Sequence, residues 1–337
     1  MISYMPILKW KKGERIALKE LKYDSDYFVP VIQIIDEVEP SDFFSELKEH
    51  FDSPVYIDTS HFDDDNHSHL CNFITYANTN SFSVIPYFLS DEIEKAQKLL
   101  STASGIGINV PIPANFDGFT IEEIIDYLSN NVKISNVDLF LDADEILERS
   151  VANLVFSELK RILSIKLLTS FRKVIICSTS FPRTLTVGSG QNAEYERFDY
   201  KIFEKLVELF KGTAIGNKLA YSDYGVTAFT DSEIDFSKLR HGILPKVKYT
   251  TTDLYWILKG QKDRIHGAFT RSYIDMSREI VNSKRFYGKD FSYGDCMIEQ
   301  KATVPNAKPG NSTNWVTFCA NHHLAVVIEQ LSKLSEL

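Results

Sequence analysis

Between Tyr4 and Tyr224 the chain alternates short, almost wholly apolar runs with segments whose apolar residues recur at helical spacing, about eight times in succession. The apolar runs are Tyr4–Trp10, Phe28–Ile35, Val55–Asp58, Phe82–Tyr87, Gly105–Val110, Val137–Asp142, Lys173–Ser178 and Lys218–Tyr224. They read as strands covered on both faces, because a strand with one wet face would alternate apolar and polar residues. The segments between them predict helices. One opens at Gly13, with Ile16, Ala17, Leu18 and Leu21 on one face, and Pro40-Ser41-Asp42 opens another that runs to Phe51. Others are expected from about His67 to Ala77, after the N-cap Ser90, near Thr120 with Glu123 completing a capping box, from Asp144 to near Phe171, and from about Glu194 to Phe210.

This alternation calls for parallel strand-helix-strand units with right-handed crossovers, and eight of them close a barrel. An open doubly wound sheet would also alternate, but it usually carries a glycine-rich phosphate turn after its first strand, and no G-x-G-x-x-G follows this one. The expected class is therefore α/β, a (β/α)8 TIM-like barrel. After the eighth strand the rhythm stops until Trp315–Leu334, which reads as the last outer helix. Residues 228–312 are expected to form a large excursion covering or bordering the barrel mouth, within one barrel domain spanning 1–337. Inside the excursion Lys246–Leu258 predicts one long strand or a hairpin, and Tyr273–Val281 predicts a helix.

Composition changes this picture little. With 337 residues, 44% apolar and 25% charged, the chain can bury a large core. A net charge of -9 argues against a sequence-wide nucleic-acid footprint, though a local basic patch stays open. Met1–Lys12 reaches its lysines without a long apolar core and no run of eighteen apolar residues occurs, so a signal peptide and a membrane span are not expected and a cytoplasmic location is. Cys71, Cys177, Cys296 and Cys319 lie far apart and are expected to be reduced thiols.

Several segments carry a family resemblance: Tyr4-x-Pro-Ile-Leu-Lys-Trp-Lys-x-Gly-Glu14, Pro30-Val-Ile-Gln-Ile, Ser222-Asp-Tyr-Gly225, Tyr249–Gly260 with Trp256, Phe291-Ser-Tyr-Gly-Asp295, and Trp315 with Asn321-His-His-Leu324. Together they make the chain resemble the beta protein family of phages and bacterial mobile elements. The family's usual Gly-Asp-Tyr reads Ser222-Asp223-Tyr224 here. The resemblance implies a phage or phage-defence setting, with a protein partner from such a system, and implies no mechanism.

In a barrel the strand C-termini converge on one mouth, so strand-end residues are the candidates for chemistry. Here they are Lys9, Lys11, Asp36, Asp58 with Ser60 and His61, Tyr87, Asn109, Asp142 with Asp144, Ser178 with Ser180, and Asp223 with Tyr224. Lys9 and Lys11 would share one side of an extended segment and suit an anion, or else form a solvated cluster with Lys12. Asp142-Ala-Asp144-Glu145 could hold a divalent cation or divide acid and base roles, with Asp142 lining the site and Asp144 capping the next helix. Asp36, Asp58 and Asp223 join Asp142 as catalytic candidates. Asn109, Ser178 and Tyr224 join the lysines as ligand-binding ones. In the excursion Tyr249, Tyr255, Trp256, Tyr293 and Asp295 could stack on a base or sugar, or pack the insert onto the barrel.

Other groups carry less. The His61–His69 loop has an H-x-H pair, but barrel metal hydrolases put such a pair on a strand, so a solvated loop is expected. His322 and His323 are adjacent on a helix and point about 100° apart, so one is expected to reach the excursion while the other packs. Gly188-Ser-Gly190 reads as a phosphate-binding turn or a loop of small residues. No nucleophile triad, P-loop or zincin helix occurs. The expected function is therefore a mouth that binds a small polar or phosphorylated ligand, with hydrolase or lyase chemistry. The alternative is a non-catalytic interaction or inhibitory protein of phage-host conflict, marked by an exposed apolar patch on the excursion.

Overall fold

The computed structural model describes residues 1–24, 26–61, 68–90, 105–112, 120–227, 244–263 and 265–336. Eight strands form one parallel sheet: β1 (Ile7–Lys9), β2 (Val31–Gln33), β3 (Val55–Asp58), β4 (Val84–Leu89), β5 (Ile106–Pro111), β6 (Val137–Glu145), β7 (Lys173–Thr179) and β9 (Leu219–Ser222), in that spatial order. The two edges meet at the Tyr4–Tyr221 bridge. There Met5 N–H donates to Tyr221 O at 2.8 Å and Ile7 N–H to Asp223 O at 2.7 Å. The sheet is thus nearly closed, and the molecule is a mixed α/β barrel.

Outside it lie α1 (Lys12–Lys19), α2 (Pro40–His50), α3 (Ser68–Thr79), α4 (Ile121–Asn131), α5 (Arg149–Leu163) and α6 (Phe198–Phe210). Helix α4 starts at the expected capping box, Thr120 with Glu123. The long helix expected to reach Phe171 instead ends at Leu163, and a short 3-10 turn, Lys166–Ser170, follows. The helix expected after Ser90 falls on residues 91–104, outside the described residues.

Strand alternation splits the apolar residues into two layers. Leu8, Ile32, Ile57, Phe88, Ile108, Leu139 and Ile176 face outward and merge with the helix faces into the main core. Met5, Ile7, Val31, Tyr56, Tyr87, Phe140, Ile175, Cys177, Ala220 and Tyr224 pack inside the barrel. At the centre the rings of Tyr56, Tyr87 and Phe140 meet edge to face, with centroids 5.0 to 6.4 Å apart. Beneath them Asp138, 1% exposed, accepts the Tyr56 hydroxyl and pairs with the Arg172 guanidinium. The lumen is a packed core from its foot upward, as the barrel geometry requires.

A second sheet is antiparallel, with β11 (Leu254–Lys259) between β10 (Lys246–Thr250) and β8 (Asn192–Glu196). Lys246–Leu258 is therefore a hairpin. Strand β8 corrects the helix expected from Glu194: five residues of strand come first, and α6 begins at Phe198. Asn192–Glu196 is too short and polar to declare itself locally. Its strand form comes from β11, where Tyr255 stands opposite Tyr195 and Ile257 opposite Ala193. Beyond the hairpin, β12 (Gln261–Lys262) pairs with β13 (Phe269–Arg271), and α7 (Tyr273–Val281) occupies the expected span. Helices α8 (Tyr293–Thr303) and α9 (Ser312–Glu336) complete the chain. A second core of Val247, Tyr249, Trp256, Met276, Ile298, Trp315 and Phe318 holds this region together. No helix among the described residues is long and apolar enough to cross a membrane.

Gly107 on β5 lets the central rings pack. A β-carbon there would lie 2.9 Å from the Tyr87 ring and 3.0 Å from the Tyr56 ring. Gly107→Ala is expected to cost about 1–3 kcal/mol through overpacking, read as a lower urea midpoint. An unchanged midpoint would mean that the lumen relaxes around the methyl group.

Candidate site at the mouth of the barrel

Above the aromatic layer the strand ends place polar groups side by side. Register sets Lys9 beside Gln33, Gln33 beside Asp58, and Asp58 beside Tyr87, then Pro111 beside Asp142 and Asp142 beside Cys177. Asp58, 4% exposed, accepts from Gln33 Nε2 at 3.0 Å and from Ser60 N–H at 2.9 Å. Asn109, also 4% exposed, donates through Nδ2 to Tyr87 Oη at 2.7 Å and to Asp142 Oδ2 at 3.0 Å. The Tyr224 hydroxyl donates to that same Asp142 oxygen. Asp142 is thus held by β5 and by the segment after β9, and its other oxygen accepts Asp144 N–H at 2.9 Å.

Burial pushes the Asp142 carboxyl above its usual range, although Asn109 and Tyr224 pull it the other way. Tyr87 and Tyr224 are driven far above their usual range, first by burial and then by Cys177 and Asp142 beside them. Asn109 Oδ1 is buried with no hydrogen-bond partner among the described residues. An orphaned acceptor beside a buried acid invites a donor from a ligand or water.

Asp144 does not cap a helix. It remains in β6 at φ +55°, where the register with β7 shifts between Asp142 and Glu145, and it pairs with Arg183. The bulge turns the second acid of the motif away from the first. Position N-cap of α5 falls to Glu148, which makes no side-chain cap. Among the described residues no three His, Cys, Asp or Glu side chains are grouped to hold a metal ion.

The remaining candidates are dispersed. Asp36 is exposed in the bend after β2. Lys11 occupies the N-cap position of α1, and its N–H bonds back to Lys9 O at 2.7 Å, so the chain turns between the two lysines. Ser178 alternates with the lumen residue Cys177 and so takes the other face of β7. Asp223 likewise takes the outer face of its strand, where it accepts from the Tyr4 hydroxyl at 2.8 Å and Gly225 N–H at 3.1 Å and meets His323 Nε2 at 3.1 Å. Burial opposes its charge, but His323, Tyr4 and Gly225 outweigh burial and hold its carboxyl below the usual range.

Tyr249 and Trp256 belong to the second core, and Asp295 is buried beside Tyr249. Tyr249 donates to Asp295 Oδ1 at 2.7 Å and stacks on His322 at 4.0 Å, and Trp256 carries the Arg285 guanidinium 5.0 Å above its ring. His322 bonds Asp295 at 2.7 Å and Thr250 O at 2.7 Å, while His323 bonds Thr250 Oγ1 at 3.0 Å. The two histidines do diverge, to opposite acids. Gly188-Ser-Gly190 forms a turn whose Gly190 N–H bonds Gly260 O at 3.1 Å. Of the His61–His69 loop, residues 62–67 lie outside the described residues.

Sequence reasoning took Glu14 only as the end of a family motif and passed over Lys248. Glu14 is 3% exposed in the first turn of α1, where an acid looks like a helix-dipole partner. Burial pushes its carboxyl up to about 7, against the pull of Thr227, Lys248 and Lys9. Burial also pulls Lys248 down to about 8. The alternation Lys246-Val247-Lys248-Tyr249 on a strand was the available signal.

Fold and site together define a parallel barrel with a buried polar cluster at the strand C-termini. The chain belongs to the Beta protein family, whose model matches residues 4–329. Comparison with curated proteins gives no match, and comparison with solved structures gives none.

The raised value of Glu14 has a consequence for stability. The folded state holds this proton more tightly than the unfolded chain, so its contribution is present below about pH 4.5 and is lost as pH rises through 7. At pH 8 the ionised, buried carboxylate costs about 3 kcal/mol. Glu14→Gln is therefore expected to raise the thermal midpoint relative to wild type at pH 8 and to lose that advantage at pH 5. Equal differences at both pH values would contradict it.

Proposed function

We propose that the chain is a (β/α)8 TIM-like barrel, a single domain with residues 228–312 as an excursion bordering its mouth, and that the mouth binds a small polar or phosphorylated ligand. The observation that carries this reading is Asp142: a carboxyl buried to 7% exposure at a strand C-terminus, held by Asn109 and Tyr224, with its proton affinity raised by burial. Such an acid can keep a proton nearer neutral pH and pass it to or from a bound group, which suits hydrolase or lyase chemistry. Asp58 with Gln33 forms the opposite polar edge. Asp36, exposed, and Asp223, engaged by His323, take no catalytic role in this reading. A thermal-shift screen of wild type against polar and phosphorylated metabolites should yield at least one compound that raises the melting midpoint, and Asp142→Asn should lose that shift. No shift with any compound, or a shift unchanged in Asp142→Asn, counts against the mouth as the site.

One observation favours a second reading, an interaction protein of phage-host conflict. Ile265 is 85% exposed and Phe269 49% exposed on the β12–β13 hairpin, an apolar pair at the surface of the excursion. Replacing both by Asp should abolish any effect on phage infection while leaving the melting midpoint and metabolite shifts unchanged. An infection phenotype equal to wild type would remove this reading.

A further inference from the structure

Strand β8 is an edge of its sheet. It pairs with β11 alone, and none of its five residues is buried. Arg197 N–H donates to Asp253 O at 2.9 Å and Lys259 N–H to Gln191 O at 3.0 Å, which fixes the parity of the ladder. Opposite residues that exchange hydrogen bonds recur at every second position, so Ala193 and Tyr195 turn their main-chain groups to β11. Asn192, Glu194 and Glu196 turn theirs outward, and among the described residues those groups have no hydrogen-bond partner. Native edges of this kind are usually blunted by a proline, a bulge or an outward charge. Strand β8 has no proline and no register shift. Its charges are drawn aside: Glu194 bonds Arg285 at 2.6 Å, and Glu196 bonds Lys201 at 2.9 Å and Arg149 at 3.1 Å.

We propose that β8 pairs with β8 of a second copy of this chain, antiparallel about a two-fold axis at Glu194. The strand is complementary to itself in that register. Ala193 stands opposite the partner's Tyr195, a small side chain beside a ring, and Asn192 opposite the partner's Glu196, an amide beside a carboxylate. Glu194 meets the partner's Glu194, the one like-charged pair, and an Arg285 neutralises each. The pairing adds about six main-chain hydrogen bonds, two from each outward-facing pair, and joins the two three-stranded sheets into one. A strand pair is a narrow contact, and a specific interface buries roughly 1,000 Å² or more. Arg149 places the start of α5 beside Glu196, and there Leu147, Val151 and Leu154 form an apolar stripe, 40%, 38% and 71% exposed. That stripe supplies the apolar part of the interface. The two-fold axis closes the edge, so association stops at two copies. The pairing involves neither the mouth nor Ile265 and Phe269, and it stands apart from both readings above.

Sedimentation of the full chain should show a monomer–dimer equilibrium, with dimer prevailing at about 100 μM for a micromolar dissociation constant. Hydrogen exchange resolved to single amides tests the wild type directly. The Asn192, Glu194 and Glu196 amides should exchange about tenfold more slowly at about 100 μM than at about 0.1 μM, as the monomer fraction falls, while Ala193 and Tyr195 should not change. Glu194→Pro removes an outward N–H and no bond to β11, so it should be a folded monomer at the higher concentration. Arg285→Glu, a change at the surface, leaves the carboxylates at the axis uncompensated and should weaken the dimer at least tenfold. Should Glu194→Pro fail to fold, Arg285→Glu and the wild-type exchange decide. A wild type that stays monomeric at about 100 μM would overturn the proposal and leave the edge to an extended segment of another protein. A dimer left intact by Arg285→Glu or by folded Glu194→Pro, or outward amides whose exchange ignores concentration, would overturn it as well.

Discussion

A buried carboxylate must find a partner, and the packing of the last helix on this barrel depends on two that do. Asp223 and Asp295 are both fully buried, one at the end of β9 and one in the first turn of α8, and each meets a histidine from the same turn of α9. Thr250 sits between the two rings, giving its carbonyl to His322 and its hydroxyl to His323. Barrel strand, hairpin, α8 and α9 are thereby joined by one chain of hydrogen bonds. Removing one member leaves charge buried without compensation, which is among the costlier changes a core can suffer. A neighbouring clamp works the same way: fully buried Arg197 donates to Thr251 O at the hairpin turn and to Gln330 on α9.

That anchoring decides what the polar strand ends can do. Asp223 is committed to holding α9, while Asp142, on β6 two strands away, points into the lumen with Asn109, Tyr87 and Tyr224. Beneath them the Tyr56, Tyr87 and Phe140 rings and the Asp138–Arg172 pair fill the barrel, so the polar groups of the lumen lie in its uppermost layer. The same hairpin that Thr250 anchors carries Lys248, whose buried Nζ donates to Val226 O and whose charge acts on Glu14. Acids that look alike in sequence thus take different places, one joining the barrel to α9 and one lining the lumen.

The apolar runs made the eight barrel strands legible, since a strand covered on both faces leaves an unbroken hydrophobic signature. The capping box at Thr120 and the helix over Tyr273–Val281 were equally visible, because each rests on contacts a few residues apart, whereas Lys246–Leu258 was legible as strand but not as a hairpin rather than one long strand. β8 was not, since its partner β11 lies some sixty residues further along the chain. The mouth was half legible: Asp58, Asn109, Asp142 and Tyr224 stand at strand ends as expected, but Asp144 was misread as a cap because a register shift in β6 has no mark in the sequence.

What the sequence determined by itself is the class of fold and the set of residues from which a site could be made, because strand burial and helix periodicity are local properties. Which acids enter the lumen was decided only in three dimensions. A strand's side chains alternate by face, so a shift of one residue exchanges inside for outside, as the opposite fates of Tyr224 and Asp223 show. The effect of Lys248 on Glu14 crosses most of the chain, the contact of Asp223 with His323 crosses 100 residues, and the Tyr4–Tyr221 closure of the barrel joins the two edges of the sheet. No window of sequence contains that closure.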